Sequence, residues 1–71
     1  MRTWLIDDVE IIEVPFDYDL TAFEVYVGND LKGTIYPETM DDVVMLAACL
    51  NDGQNPLADN WEDGRGGTLS Y

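Results

Sequence analysis

The stretch AFEVYVGNDLKGTIY, residues 22–36, carries the clearest structural signal in the chain. Apolar and polar residues alternate over its first six positions, which predicts a strand whose core face carries every second residue from Phe23 to Val27. The Gly-Asn-Asp that follows is typical of a turn, because glycine and asparagine tolerate a positive φ. The chain then returns through a second strand, for which we expect Leu31 and Ile35 on the core face. The stretch therefore predicts a β-hairpin.

Two irregularities are predicted near this hairpin. Gly33 occupies the remaining core-face position of the second strand, where a bulge or the close packing of a helix is expected. Upstream, residues 4–14 are rich in isoleucine and valine, but their alternation breaks at Ile11-Ile12. We expect one strand there, with a bulge or a change of face at the break, and Pro15 ends it.

A helix is predicted after the hairpin. Thr39 is a suitable N-cap, and Asp42 three residues later completes an arrangement like a capping box. Acidic residues in the first turn also suit the positive end of the helix dipole. Apolar residues recur at helical spacing and form one stripe: Met40, Val43, Val44, Ala47 and Leu50. Residues 51–53, Asn-Asp-Gly, end the helix.

The last third of the chain, residues 54–71, is rich in Asn, Asp and Gly. Leu57 and Trp61 are expected to anchor this segment to the core. The predicted fold is therefore α+β, a small antiparallel sheet of about three strands packed against one α-helix, with an irregular C-terminal segment. With 71 residues the chain forms a single small acidic domain, residues 1–71.

Charge is the strongest functional signal in the sequence. The chain has fifteen aspartates and glutamates and only three basic residues, Arg2, Lys32 and Arg65, which gives a net charge of −12. Solubility of a small domain needs a charge of magnitude only ~2–8. Such a chain is a poor direct partner for nucleic acid or for an anionic membrane. A basic protein surface is the natural counterpart.

The residue types present exclude several chemistries. There is no histidine, which removes the Ser-His-Asp and Cys-His systems and the commonest metal ligand. Cys49 lies within the predicted helix and is expected to pack there as a small apolar residue. We therefore expect no enzymatic activity and no cofactor. A lone cysteine fits a reducing compartment, and no apolar run reaches the ~18 residues of a membrane span, so we expect a cytoplasmic protein.

The segment from Asp59 to Gly64 partly matches a calcium-binding EF-hand loop. It has Asp at positions one and five and Gly at six, as an EF-hand has. Position three, however, is Trp61 and position twelve is Ser70, where the motif requires oxygen ligands and a bidentate glutamate. The segment is therefore interpreted as an acidic turn, and no metal site is expected.

The candidate partner-binding residues lie in two acidic stretches, one in the first strand and its connector and one around the C-terminal tryptophan. They are Asp7, Asp8, Glu10, Glu13, Asp17, Asp19, Asp59, Trp61, Glu62 and Asp63. Trp61 has two interpretations, a core anchor or an exposed aromatic contact in an interface. Whether the two stretches are adjacent in space depends on the fold.

The length, the charge, the absence of histidine and segments such as 7–10 (DDVE) and 60–64 (NWEDG) also carry a resemblance. In these features the chain resembles the small acidic proteins of phages and conjugative elements, including anti-CRISPR and antirestriction inhibitors that mimic nucleic acid. The resemblance implies that the partner is the basic nucleic-acid channel of a host defence protein. It implies no fold, because such inhibitors share none.

The leading hypothesis is an inhibitor that occupies a basic, nucleic-acid-binding surface, with a CRISPR effector as the favoured partner. A generic protein-interaction module is the main alternative, and a small homodimeric regulatory protein that pairs through an exposed strand edge belongs to it. An acidic cation-binding domain is the third hypothesis.

Overall fold

The computed structural model describes residues 1–71 as a four-stranded antiparallel sheet with one helix. The elements are β1 (Thr3–Ile6), β2 (Val9–Pro15), β3 (Thr21–Val27), β4 (Asp30–Ile35) and α1 (Met40–Asn51). Each strand pairs with its sequence neighbour, in the order β1-β2-β3-β4. The α+β class is confirmed, with four strands where about three were expected.

The extra strand comes from the N-terminal segment, where the prediction of one strand over residues 4–14 was wrong. The chain reverses at Asp7 and Asp8, so that β1 and β2 form a hairpin with Ile6 opposite Val9. Asp7 has a φ of 56°, a left-handed conformation that aspartate tolerates better than most residues. The apparent break in alternation is no bulge, because β2 carries apolar residues on both of its faces.

A bulge does occur at the predicted glycine, in the hairpin of β3 and β4. Val25 lies opposite Gly33, but the next residue of β3, Tyr26, lies opposite Leu31. The shift turns Leu31 to the open face of the sheet, where it is 52% exposed, so its predicted place in the core was wrong. A Cβ on Gly33 would collide with the side chain of Leu69, so the close packing there comes from the C-terminal segment and not from the helix.

The helix α1 begins where the sequence predicted. The Asp42 N–H donates a hydrogen bond of 3.2 Å to the Thr39 hydroxyl, the expected N-cap. Three residues of the predicted stripe are buried, Val43, Ala47 and Leu50, and Val43 and Leu50 belong to the core cluster with residues of the sheet. The other two, Met40 and Val44, are exposed. No helix of the chain is long and apolar enough to span a membrane.

The core lies between the helix, one face of the sheet and the C-terminal segment. Its nine buried residues are Val9, Ile11, Phe23, Val25, Ile35, Val43, Leu50, Leu57 and Leu69. Leu57 is a core anchor as predicted, and Trp61 packs against the core while remaining half-buried. The C-terminal segment folds back on itself, because the Leu69 N–H donates to the Trp61 carbonyl at 2.8 Å.

Candidate functional site

Ten of the fifteen carboxylates lie at the two ends of the sheet. At one end the turns of residues 7–8 and 28–29 lie side by side, because Val9 pairs with Val27. We call residues 7–8 and 28–30 the turn end. At the opposite end β2 runs into β3, β4 ends and α1 begins. We call residues 16–20, 36–42 and 61–65 the connector end.

The first predicted acidic stretch is divided by this arrangement. Asp7 and Asp8 lie at the turn end, whereas Asp17 and Asp19 lie at the connector end. The seven residues of β2 separate them, a span of roughly 20 Å at the usual rise of a strand. Glu10 lies between, on the open face of the sheet opposite Tyr26. Closeness in sequence therefore does not make these residues one surface.

Glu13 belongs to the folded core and not to an exposed surface, contrary to its place among the predicted binding residues. Its carboxylate accepts two hydrogen bonds from the Arg2 guanidinium, from Nε at 3.0 Å and from Nη2 at 2.8 Å. It accepts a third from the Thr21 hydroxyl at 3.0 Å. These bonds to Arg2 and Thr21, chiefly that to Arg2, lower the pKa of Glu13 from 4.5 to about 2. A carboxylate that is 6% exposed and already paired is not available to a partner.

The connector end is held together around Tyr36. Its N–H donates to the Asp63 carbonyl at 2.8 Å, which fixes the C-terminal segment beside the end of β4. Its ring contacts Phe16 of the connector between β2 and β3, with centroids 5.0 Å apart. The Arg65 guanidinium lies 4.1 Å from the centre of the Tyr36 ring. Both predicted acidic stretches thus contribute residues to the same end of the molecule.

Asp63 shapes the loop that carries Arg65. Its Oδ1 accepts hydrogen bonds from the Arg65 N–H at 2.7 Å and from the Gly67 N–H at 3.0 Å. These two backbone donors lower the pKa of Asp63 below its usual value. Its carboxylate is therefore partly engaged within its own loop, unlike that of its neighbour Glu62.

A groove of about 380 Å³ opens at the connector end between the start of α1 and the Trp61 segment. Its apolar lining includes Ile35, Leu46 and Trp61, and carboxylates contribute the polar part. Those carboxylates are Glu38, Asp42 and Glu62. Sequence reasoning named Trp61 and Glu62 but missed the other two, because residues at a helix start were explained by capping and by the helix dipole alone.

The connector end as a whole carries seven carboxylates. They are Asp17, Asp19, Glu38, Asp41, Asp42, Glu62 and Asp63. Arg65 is the one cation among them, since Arg2 is paired with Glu13 and Lys32 lies in β4. Asp59, another predicted binding residue, is exposed in the turn after Leu57, where its N–H donates to the Asn55 carbonyl.

A second exposed feature is the open face of the sheet, on the side away from α1. Leu5 is 75% exposed, and with Ile12, Tyr26 and Leu31 it makes this face largely apolar. The Tyr26 hydroxyl donates to Glu24 at 3.0 Å, which raises the pKa of Tyr26. The face therefore combines apolar side chains with two carboxylates, those of Glu24 and Glu10.

No group of three or more acidic or cysteine side chains converges as metal ligands would. Comparison of the chain with protein-family models, with curated proteins and with solved structures finds no match.

Proposed function

We propose that this protein binds a basic, nucleic-acid-binding surface of another protein and inhibits it, with the connector end as its contact surface. One observation carries the proposal: carboxylates from three separate parts of the chain gather at that end, and those from two of the parts line an apolar groove. The resemblance to small acidic phage and mobile-element inhibitors makes a CRISPR effector the favoured target. The compartment we propose is the cytoplasm, where such effectors act.

The density of charge favours contact through one end over mimicry by the whole surface. The accessible area is 4388 Å² and the net charge is −12, so an even spread gives about one charge per 370 Å². Duplex DNA carries one charge per ~1.7 Å of its axis. On a cylinder of radius ~10 Å this is one charge per ~110 Å². The protein can approach that density only where its carboxylates gather, and seven of the fifteen lie at the connector end.

At this surface, charge would set the rate of association and apolar contacts would supply most of the affinity. The carboxylates steer a basic partner toward the connector end and make the association rate sensitive to salt. Charge pairs at the exposed rim of an interface add little affinity, whereas buried aromatic and apolar contacts at its centre add more. The groove beside Trp61 supplies such a centre within the acidic surface.

A homodimer is the second candidate, because the open face of the sheet exposes Leu5 and Leu31. Packing two copies through this face would bury those apolar side chains. It would also bring Glu10 and Glu24 toward their counterparts and join two chains of net charge −12. A basic partner meets no such repulsion, so it is the better supported candidate.

Competition for nucleic acid tests the proposal. Guide-loaded CRISPR effectors are bound to fluorescently labelled duplex DNA, and the protein is titrated while anisotropy is followed. We expect at least one effector to release its DNA, with an apparent affinity that falls about tenfold or more between 50 and 200 mM salt. Poly-L-glutamate of matched total charge is the control. Release by no effector, or equal release by the polymer, would contradict the proposal.

A further inference from the structure

We propose that the groove beside Trp61 is a receptor for a single arginine side chain of the partner. This inference rests on the proposed function, because it names the partner chemistry that the connector end recognises. The observation behind it is a small apolar groove with three carboxylates, two from around the start of α1 and one from the C-terminal segment.

The groove is large enough to take one long side chain. At about 380 Å³ it lies near the lower limit of ~300–1,000 Å³ for ligand pockets, and it is open to solvent on one side. Leu46 and Met45 of α1 and the indole of Trp61 line it with apolar surface. Such a lining suits the methylene stem of a long basic side chain, which gains from burial while its charged head stays at the polar edge.

The three carboxylates are free to accept that charged head. Glu38 precedes α1, Asp42 lies in its first turn, and Glu62 belongs to the C-terminal segment. None of the three side chains takes part in an ion pair or hydrogen bond within the chain, whose one salt bridge joins Arg2 to Glu13. Three unpaired carboxylates around one groove favour a cation and disfavour a phosphate or a partner carboxylate.

A guanidinium fits this site better than an ammonium does. It is planar, stacks on aromatic rings, and donates in pairs to carboxylates, whereas lysine offers a compact and strongly hydrated charge. The chain itself shows the packing at the border of the groove, where Arg65 lies 4.1 Å from the centre of the Tyr36 ring. A partner arginine would bring the same group to the groove's other aromatic residue, Trp61.

Binding of a model ligand tests the inference directly. N-acetyl-arginine amide is titrated into the ¹⁵N-labelled full chain while the two indole N–H resonances are followed by NMR. The Trp61 resonance is expected to shift and saturate with a Kd of about 1–10 mM, as one weakly anchored side chain allows. The Trp4 indole, which donates to Asn51 at 2.7 Å, is the internal reference and should not move.

Ligand and protein variants separate arginine recognition from general charge. N-acetyl-citrulline amide, a neutral isostere, and N-acetyl-lysine amide should bind about tenfold or more weakly. The double variant Glu38→Gln with Glu62→Gln should lose a similar factor, whereas the double variant Asp7→Asn with Asp8→Asn, with the same change in charge, should not. An immobile Trp61 resonance, equal binding of citrulline, or equal losses in the two variants would overturn the inference.

The same variants distinguish failure of the groove from failure of the proposed function. If the Glu38→Gln, Glu62→Gln protein displaces DNA from the effector as well as the wild type does, the groove is not the contact, although the function stands. If arginine amide binds the groove but no effector releases DNA, the proposed function fails and the arginine site stands. An unchanged Trp4 resonance in each variant verifies that the fold is retained.

Discussion

The two ends of the sheet are both acidic, but they differ in what surrounds the charge. At the turn end, Asp7, Asp8 and Asp30 lie in or beside short hairpin turns. At the connector end, carboxylates border a groove with an apolar lining, and the C-terminal segment is fixed there through Tyr36. Exposed charge alone gives only attraction, whereas charge beside a concave apolar surface can give a specific contact.

The largest expected effect is a loss of stability at Gly64, and Gly28 at the turn end is the matched comparison. Gly64 has a φ of +82°, and a Cβ there would collide with the Tyr36 carbonyl oxygen, which belongs to the backbone and cannot turn away. Gly28 has a φ of +61°, but a Cβ would meet nothing within 4 Å. We expect Gly64→Ala to lower the free energy of unfolding by about 3 kcal/mol or more, and Gly28→Ala by only about 1 kcal/mol.

Urea denaturation measures both values, and the Trp61 indole resonance reports whether the C-terminal segment has left the core in the Gly64→Ala protein. Equal losses in the two variants would show that the connector end is no more tightly built than the turn end.

A smaller loss of stability is expected at Glu13. Comparing it with an exposed glutamate distinguishes a structural carboxylate from a surface one. Glu13→Gln should lower the free energy of unfolding at pH 7 by roughly 1–2 kcal/mol, because it removes the charge that Arg2 pairs with. Its pKa is about 2 in the fold and 4.5 ordinarily, so its stabilisation is present above pH 4.5 and is lost as the pH falls toward 2. Denaturation over this window should therefore show a shallower fall for Glu13→Gln than for the wild type.

Glu10→Gln is the matched control, with the same change of residue at an exposed position of the same strand. It should change stability by less than about 0.5 kcal/mol. Relief of the repulsion among the remaining carboxylates on acidification affects all three proteins alike, so it cancels in the comparison. Identical pH profiles for Glu13→Gln and the wild type would contradict the structural role given to Glu13.

Sequence patterns predicted the parts of the fold that depend on local spacing. The alternation from Phe23 to Val27, the cap at Thr39 and the anchor at Leu57 follow from side-chain periodicity and capping chemistry, which act within a few residues. Leu31 could not be placed by the same reasoning, because one extra residue in a strand moves its neighbours to the other face. The turn at Asp7-Asp8 was not predicted, because the apolar residues on both sides of it are typical of one continuous strand.

The candidate site was less predictable because it depends on contacts between distant segments. Glu38 and Glu62 meet at one groove only after α1 has turned the chain back and the C-terminal segment has docked. Glu13 did carry a readable signal, since it continues the buried positions Val9 and Ile11 at every second residue. A charge at a core position requires a partner, and Arg2 is the cation opposite it.

The contact role proposed for the connector end is tested by neutralising the same number of charges at each end of the sheet. One variant combines Asp17→Asn, Asp19→Asn and Glu38→Gln, and the other combines Asp7→Asn, Asp8→Asn and Asp30→Asn. Both lower the net negative charge by three, and asparagine keeps the left-handed conformation of Asp7 accessible.

The measurement is the concentration of each variant that releases half of the labelled duplex from the guide-loaded effector, at one fixed salt concentration. The connector-end variant is expected to need about tenfold more protein than the wild type, and the turn-end variant less than about threefold more. Equal losses at the two ends, or a greater loss at the turn end, would contradict the contact role of the connector end.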